Sequence, residues 1–231
     1  MKRTFIQFQS LLQHSLMVEK ANPERWLSPL LFAITVLLLF AFAFGQVEPQ
    51  FIPQMLTAAT YLTVFFSLQI AFSRILEPDT QDRVFEQLRS YPLSPIAWFL
   101  SKYVLVFLLG TSILLPTLIF ANLFLNEGGP SLLSVPIFVI AWVALFGLCA
   151  LGVLLSTMML RSQAKQILYP LLYFPLTAPV LIAAVEGSRA HMVSGASLQN
   201  LMSNWLGLLV ISGIIYFTLS LLLFGELIKP E

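Results

Sequence analysis

The sequence predicts an all-α membrane protein. It should have six transmembrane helices, an N-terminal interfacial amphipathic helix and a cytosolic helix between spans two and three. Three observations carry that prediction. Of 231 residues, 58% are hydrophobic and only 10% charged, with a mean hydropathy of +0.87. A soluble domain carries about 25% charged residues. Apolar runs of the length that a bilayer core of about 30 Å requires, about 20 residues, recur along the chain. Basic residues gather at alternate boundaries between those runs.

Within residues 4–18, Phe5, Phe8, Leu12 and Leu16 fall at i, i+3, i+7 and i+11, joined by Leu11. Gln7, Gln9, Ser10, Gln13 and His14 fall largely elsewhere, and Lys2, Arg3, Lys20 and Arg25 surround the segment. That pattern predicts an amphipathic helix lying in the membrane interface over residues 1–26. A helix packed on another cytosolic element has the same pattern.

The first span is expected at 27–44, anchored by Trp26, and the second at 52–73. The second carries a polar stripe, Thr60, Thr63, Ser67 and then Arg74, spaced i, i+3, i+7 and i+14. Hydroxyls on a membrane helix most often meet a neighbouring helix, a substrate-facing stripe being the alternative. The third span, 98–125, contains Pro116 and should kink there. The fourth, 132–160, is rich in small residues (Gly147, Cys149, Gly152, Ser156), which permit close helix approach.

Residues 167–186 are apolar but hold Pro170, Pro175 and Pro179. The expectation there is a strongly kinked span, or one broken after Pro175 into a re-entrant piece sheltered by protein. A polar stretch, 187–203, leads to the last span at 204–224, which opens with Trp205.

The boundaries on one side hold Lys2, Arg3, Lys20, Arg25, Arg74, Arg83, Arg89, Lys102, Arg161, Lys165 and Lys229; the other side holds Arg189 alone. The positive-inside rule makes the basic side cytosolic, with both termini inside.

The chain has no phosphate-binding GxxxxGK[ST] loop, no HExxH and no CxxC. The chain therefore cannot bind and hydrolyse ATP by that route. Cys149, the single cysteine, lies in an apolar run and reads as a packed residue. His14 and His191 could each ligate a metal or haem iron, but isolated histidines are more often ordinary polar residues, and no metal site is assigned. Sparse intramembrane charge argues against a carboxylate proton relay. The net charge of +1 carries no signal for nucleic acid, and none is expected as a partner.

Residues 74–102 form the longest run dense in charge. Pro78, with Asp79 and Asp82, suits the start of a short helix, where acids meet the positive end of the helix dipole. Glu77, Glu86 and Gln87 add polar groups, Phe85 and Leu88 give a small apolar face, and Pro92 turns the chain back. A cytosolic helix of this kind suits docking into a groove on a partner; a solvated connector is the alternative.

The run from Glu77 to Leu88, followed by Tyr91-Pro92-Leu93 and Leu100-Ser101-Lys102, resembles the CcmB family of bacterial cytochrome c maturation. The segment from Leu171 to Ile182 is similar to that family's proline-bearing fifth segment. Arg83 and Tyr91 depart from the family pattern. The resemblance implies an ABC-2-type permease forming one domain over 1–231, with the coupling segment at 74–97, in the bacterial inner membrane. It implies a CcmA-like ATPase partner that uses the ATP, two copies of the permease, and CcmC, CcmD and the haem chaperone CcmE as further partners, with haem handled by the complex. The readings set against it are an ABC-2 permease exporting a drug, lipid or glycan, and a non-transporting haem-binding scaffold.

Overall fold

The computed structural model describes residues 2–44, 48–73, 75–76, 94–126, 128–159 and 165–227. Among them the regular structure is helical, without strands. The helices are α1 (Lys2–Ala21), α2 (Glu24–Phe44), α3 (Ile52–Ser73, entered through a 3-10 turn at Pro49–Phe51), α4 (Pro95–Leu125), α5 (Val135–Met158), α6 (Lys165–Ser194), α7 (Leu198–Met202) and α8 (Trp205–Leu227). All but α1 and α7 are long and apolar enough to cross a membrane, which makes six spans.

The spans run alternately between two ends. At one end the start of α4 meets the close of α8, where Pro95 lies against Gly225. At the other end Gly129 lies against Ile52, at the start of α3, and Gly187 against Trp205, at the start of α8.

α5 is the central helix, and its small residues explain why. Gly147 faces Gly213 of α8 so closely that a Cβ there would sit 3.2 Å from the Gly213 backbone. Ser220 of α8 donates to the Ala150 carbonyl at 2.9 Å. On another side, Gly152 leaves the space filled by the ring of Phe72 from α3, and Ser156 donates to the Phe72 carbonyl at 2.8 Å. Lipid tails are as apolar as leucine, so close packing and interhelical hydrogen bonds must supply the attraction between spans. An aromatic cluster fills the wedge between α4, α5 and α8: Tyr103 meets Phe146 and Phe217 with ring centroids 5.7 and 5.0 Å apart.

The hydroxyl stripe of α3 is interior. Thr57, Thr60, Thr63 and Ser67 are fully buried, and each donates to its own helix four residues back, at 2.6–2.8 Å. This is the packing role, with each hydroxyl satisfied within its own helix. α2 lies at the rim, against α3 and α4. It buries only Pro29, Ala33 and Leu37, a stripe at i, i+4 and i+8.

The proline-bearing segment corrects one expectation. α6 is helical without interruption from Lys165 to Ser194, across Pro170, Pro175 and Pro179. No break follows Pro175, and the helix runs on through the first eight residues of the stretch expected to be a polar connection. Pro175 and Pro179 lie on the exposed face, while Tyr173, Thr177 and Val180 are buried opposite. Each proline removes the internal hydrogen bond to the carbonyl four residues back, here those of Gln166, Leu171 and Pro175; other carbonyls of the stretch gain a second donor. Thr177 donates to the Tyr173 and Phe174 carbonyls at 2.8 and 3.1 Å. Tyr216 of α8 donates to the Leu176 carbonyl at 2.7 Å. These bonds tie the stretch to itself and to α8 beside the positions that the prolines deprive.

Candidate functional site

The sequence-predicted docking residues Glu77, Asp79, Asp82, Phe85, Glu86, Gln87, Leu88 and Pro92 lie outside the described residues. The two roots of their segment are described. The incoming root is the end of α3 together with Ile75 and Leu76, both buried. The outgoing root is Ser94, the N-cap of α4.

The outgoing root is held by the N-terminal helix. Gln7 Oε1 accepts a hydrogen bond from the Ser94 backbone N–H at 3.1 Å. A capping box satisfies the N-cap N–H with a Glu or Gln from the same helix; here the group arrives from α1. One helical stretch further on, Lys102 Nζ donates to Ser15 Oγ at 3.3 Å. Both contacts join residues 87 apart in sequence, so α1 and the base of α4 run parallel and in register. Ser15, Glu19 and Lys102 are only 5–6% exposed.

Glu19 is the least ordinary of these groups. Its Oε1 lies 3.6 Å from Arg25 Nη1, an ion pair too long for a hydrogen bond. Glu19 Oε2 and Arg25 Nη1 are buried without a hydrogen-bond partner among the described residues. Burial raises the Glu19 carboxyl above its ordinary value, and the charges of Arg25 and Lys102 partly offset that. A small void beside the pair is lined by Glu19, Arg25 and Trp26, by Ala71 and Ile75 of the incoming root, and by Leu109 and Ile113 of α4. One knot of residues therefore meets the elbow between α1 and α2, the end of α3 and the lower half of α4.

Pattern reading of α1 found its stripe but not what covers it. Leu11, Leu12 and Leu16 pack against the protein core, and α4 is the helix against which α1 lies. Phe5 stays exposed. Glu19 was overlooked, although the signal was present: it falls at i+3 from Leu16 and i+7 from Leu12, on the apolar stripe itself.

Other candidates are dispersed. His14 is exposed, and His191 Nδ1 bonds the Ala196 carbonyl at 2.9 Å near the far end of α6. A carbonyl only accepts, so this ring nitrogen carries the proton. No group of three or more potential metal ligands occurs among the described residues. A groove of about 390 Å³ between α2, α3 and α6 is lined by Phe32, Phe66, Gln69, Ile70, Ser73, Tyr169 and Pro170. Its polar groups are few, and Pro170 is the one of the three prolines that borders it.

Six long apolar helices packed through small residues and internal hydrogen bonds define a multi-pass helical membrane protein. The sequence matches the family described as CcmB protein over residues 6–226, nearly its whole length. The chain therefore belongs to the CcmB family, and is a membrane component of haem export in cytochrome c maturation. No match was found among curated proteins.

Proposed function

We propose that this chain is the permease subunit of an ABC transporter in the bacterial inner membrane, with both termini in the cytosol and residues 74–97 docking onto a separate CcmA-like ATPase. The observation that carries the reading is the charged segment itself. It leaves and re-enters the helical bundle at the end shared by α1 and the close of α8, in a chain without a phosphate-binding loop. Energy from ATP must then arrive through a contact with another chain. Asp82, Glu86 and Gln87, with the acids Glu77 and Asp79, supply the polar part of that contact. Phe85 and Leu88 supply the apolar part, and Pro92 closes the segment.

In this reading the ATPase works on the complex that handles haem, with two copies of the permease together with CcmC and CcmD, and hydrolysis drives release of haem-loaded CcmE. Membership of the CcmB family supports this over export of a drug, lipid or glycan. Pro170, Pro175 and Pro179 give α6 the local weakness that a moving span needs.

The test is a pull-down with the full-length chain as bait. It should recover an ATPase, and Asp82→Lys or Glu86→Lys should reduce that recovery while leaving the chain folded in the membrane. Reversal of a solvated charge otherwise has little effect on stability. Unchanged recovery of the ATPase with both variants, together with unchanged c-type cytochrome levels, would sink the assignment of the segment.

A further inference from the structure

We infer that Glu19, Arg25 and Lys102 are positioning residues that make α1 the lever through which the docking segment moves the spans. The inference rests on the proposed ATPase contact at residues 74–97 and goes beyond it, because it assigns the transmission to residues outside that segment.

The geometry has three parts. The outgoing root of the segment is pinned to α1 twice, at Gln7–Ser94 and at Ser15–Lys102. The incoming root lies nearby: Ala71 and Ile75 line the same small void as Glu19 of α1 and Arg25 of α2. After Ala21, α1 leads within three residues into the first span, α2. A displacement of the segment therefore reaches α1 through its outgoing root, and α1 delivers it to α2 across the Glu19–Arg25 pair. α2 is the rim helix, with only three buried residues, and so has little packing to resist motion.

Buried charge is what would make the joint stiff. Glu19 answers two cations in a low-dielectric setting. Removing one member of a buried charged group leaves the others uncompensated, which is strongly unfavourable. Separation of α1 from α4 would take Lys102 away from Ser15 and Glu19, and separation of α1 from α2 would take Arg25 away, so the helices should travel as one body. An apolar stripe alone could slide, because hydrophobic contact is not directional. The polar links fix the register.

The test uses the full-length chain purified in complex with its ATPase. ATP hydrolysis is measured for the complex and for the ATPase alone, and their ratio is the coupling. Glu19→Gln and Lys102→Met should lower that ratio several-fold at unchanged yield of the complex, and Lys102→Arg should restore most of it. If the variants lower only the yield or melting temperature while surviving complex keeps the wild-type ratio, the residues are structural and the inference fails.

A second arm covers variants that do not fold. Gln7→Cys and Ser94→Cys in a Cys149→Ala background are joined by a short thiol cross-linker. Retained coupling after linkage supports a single rigid body, whereas loss of coupling would show that α1 and α4 must separate, and would overturn the inference. If the wild-type chain recovers no ATPase at all, it is the docking assignment that fails instead.

Discussion

Two joints in this molecule hold helices together by opposite means. Where α5 meets α3 and α8, the contact is made by absence: Gly147, Gly152 and Gly213 remove side chains so that backbones and rings approach. Where α1 meets α4 and the start of α2, it is made by polar groups: Ser15, Glu19 and Lys102, which are buried, with the half-buried Gln7 and Arg25. The first joint lies within spans, where the competing partner is lipid and shape decides. The second lies at the root of a charged segment, where water is close and a charge can be buried only against other charges. Shape-based joints tolerate no added volume. Charge-based joints respond to pH and to the loss of a single partner.

The largest effect should come from filling the first joint. Gly152→Leu places a branched side chain where the Phe72 ring already lies, and Phe72 is itself fully buried. Overpacking of this kind costs about 1–3 kcal/mol, and the upper end is expected because the ring is held between two spans. Aggregation on size exclusion in detergent, or a clearly lower melting temperature, is the expected result; an unchanged melt would mean that α3 and α5 are further apart than described.

The second joint is probed by pH. Burial holds the Glu19 carboxyl above its ordinary value of 4.5, so the folded chain binds that proton more tightly than the unfolded chain. The stability contributed by this group is highest below 4.5. It falls as the pH rises from there through the raised folded value, and then stays at the lower level. Glu19→Gln removes that titration. The melting temperature of the wild type relative to the variant should therefore drop across this window as pH increases, and a pH-independent difference would disprove the burial of Glu19.

The smallest effect tests an isolated polar contact inside the spans. Tyr61 Oη and Ser188 Oγ lie 2.8 Å apart between α3 and α6. Tyr61→Phe removes one interhelical hydrogen bond, worth about 0.6 kcal/mol between membrane helices. A shift of a degree or two in melting temperature is expected, well below that of Gly152→Leu. A larger loss would mean that this bond, rather than close packing, sets the α3–α6 contact.

Most of the span architecture was legible in the sequence. The second span was expected at 52–73 and α3 occupies Ile52–Ser73. The small residues of the fourth span were expected to bring helices together, and Gly147, Gly152 and Ser156 do so. Of the two readings for 167–186, a strong kink or a break after Pro175, the break does not occur: the helix is continuous across all three prolines, because a proline bends a helix without having to end it. Pro175 and Pro179 face outward, and Thr177 and Tyr216 serve carbonyls of the same stretch. Of the candidate site, the charged segment was legible from its contrast with the apolar spans. The knot at its roots was not, because it joins residues 87 apart and nothing local marks them as partners.

By itself the sequence determined that this is a membrane protein of six spans. Transfer of apolar residues into lipid is nearly additive along a chain, so a run of about 20 residues declares itself without knowledge of its neighbours. Tertiary structure alone decided which helix covers which. An amphipathic stripe such as that of α1 satisfies itself equally on lipid or on protein, and only the presence of Ser94 and Lys102 on α4, opposite Gln7 and Ser15, selects the protein. The contact between α6 and α8 was decided in the same way, by Tyr216 reaching across to the Leu176 carbonyl.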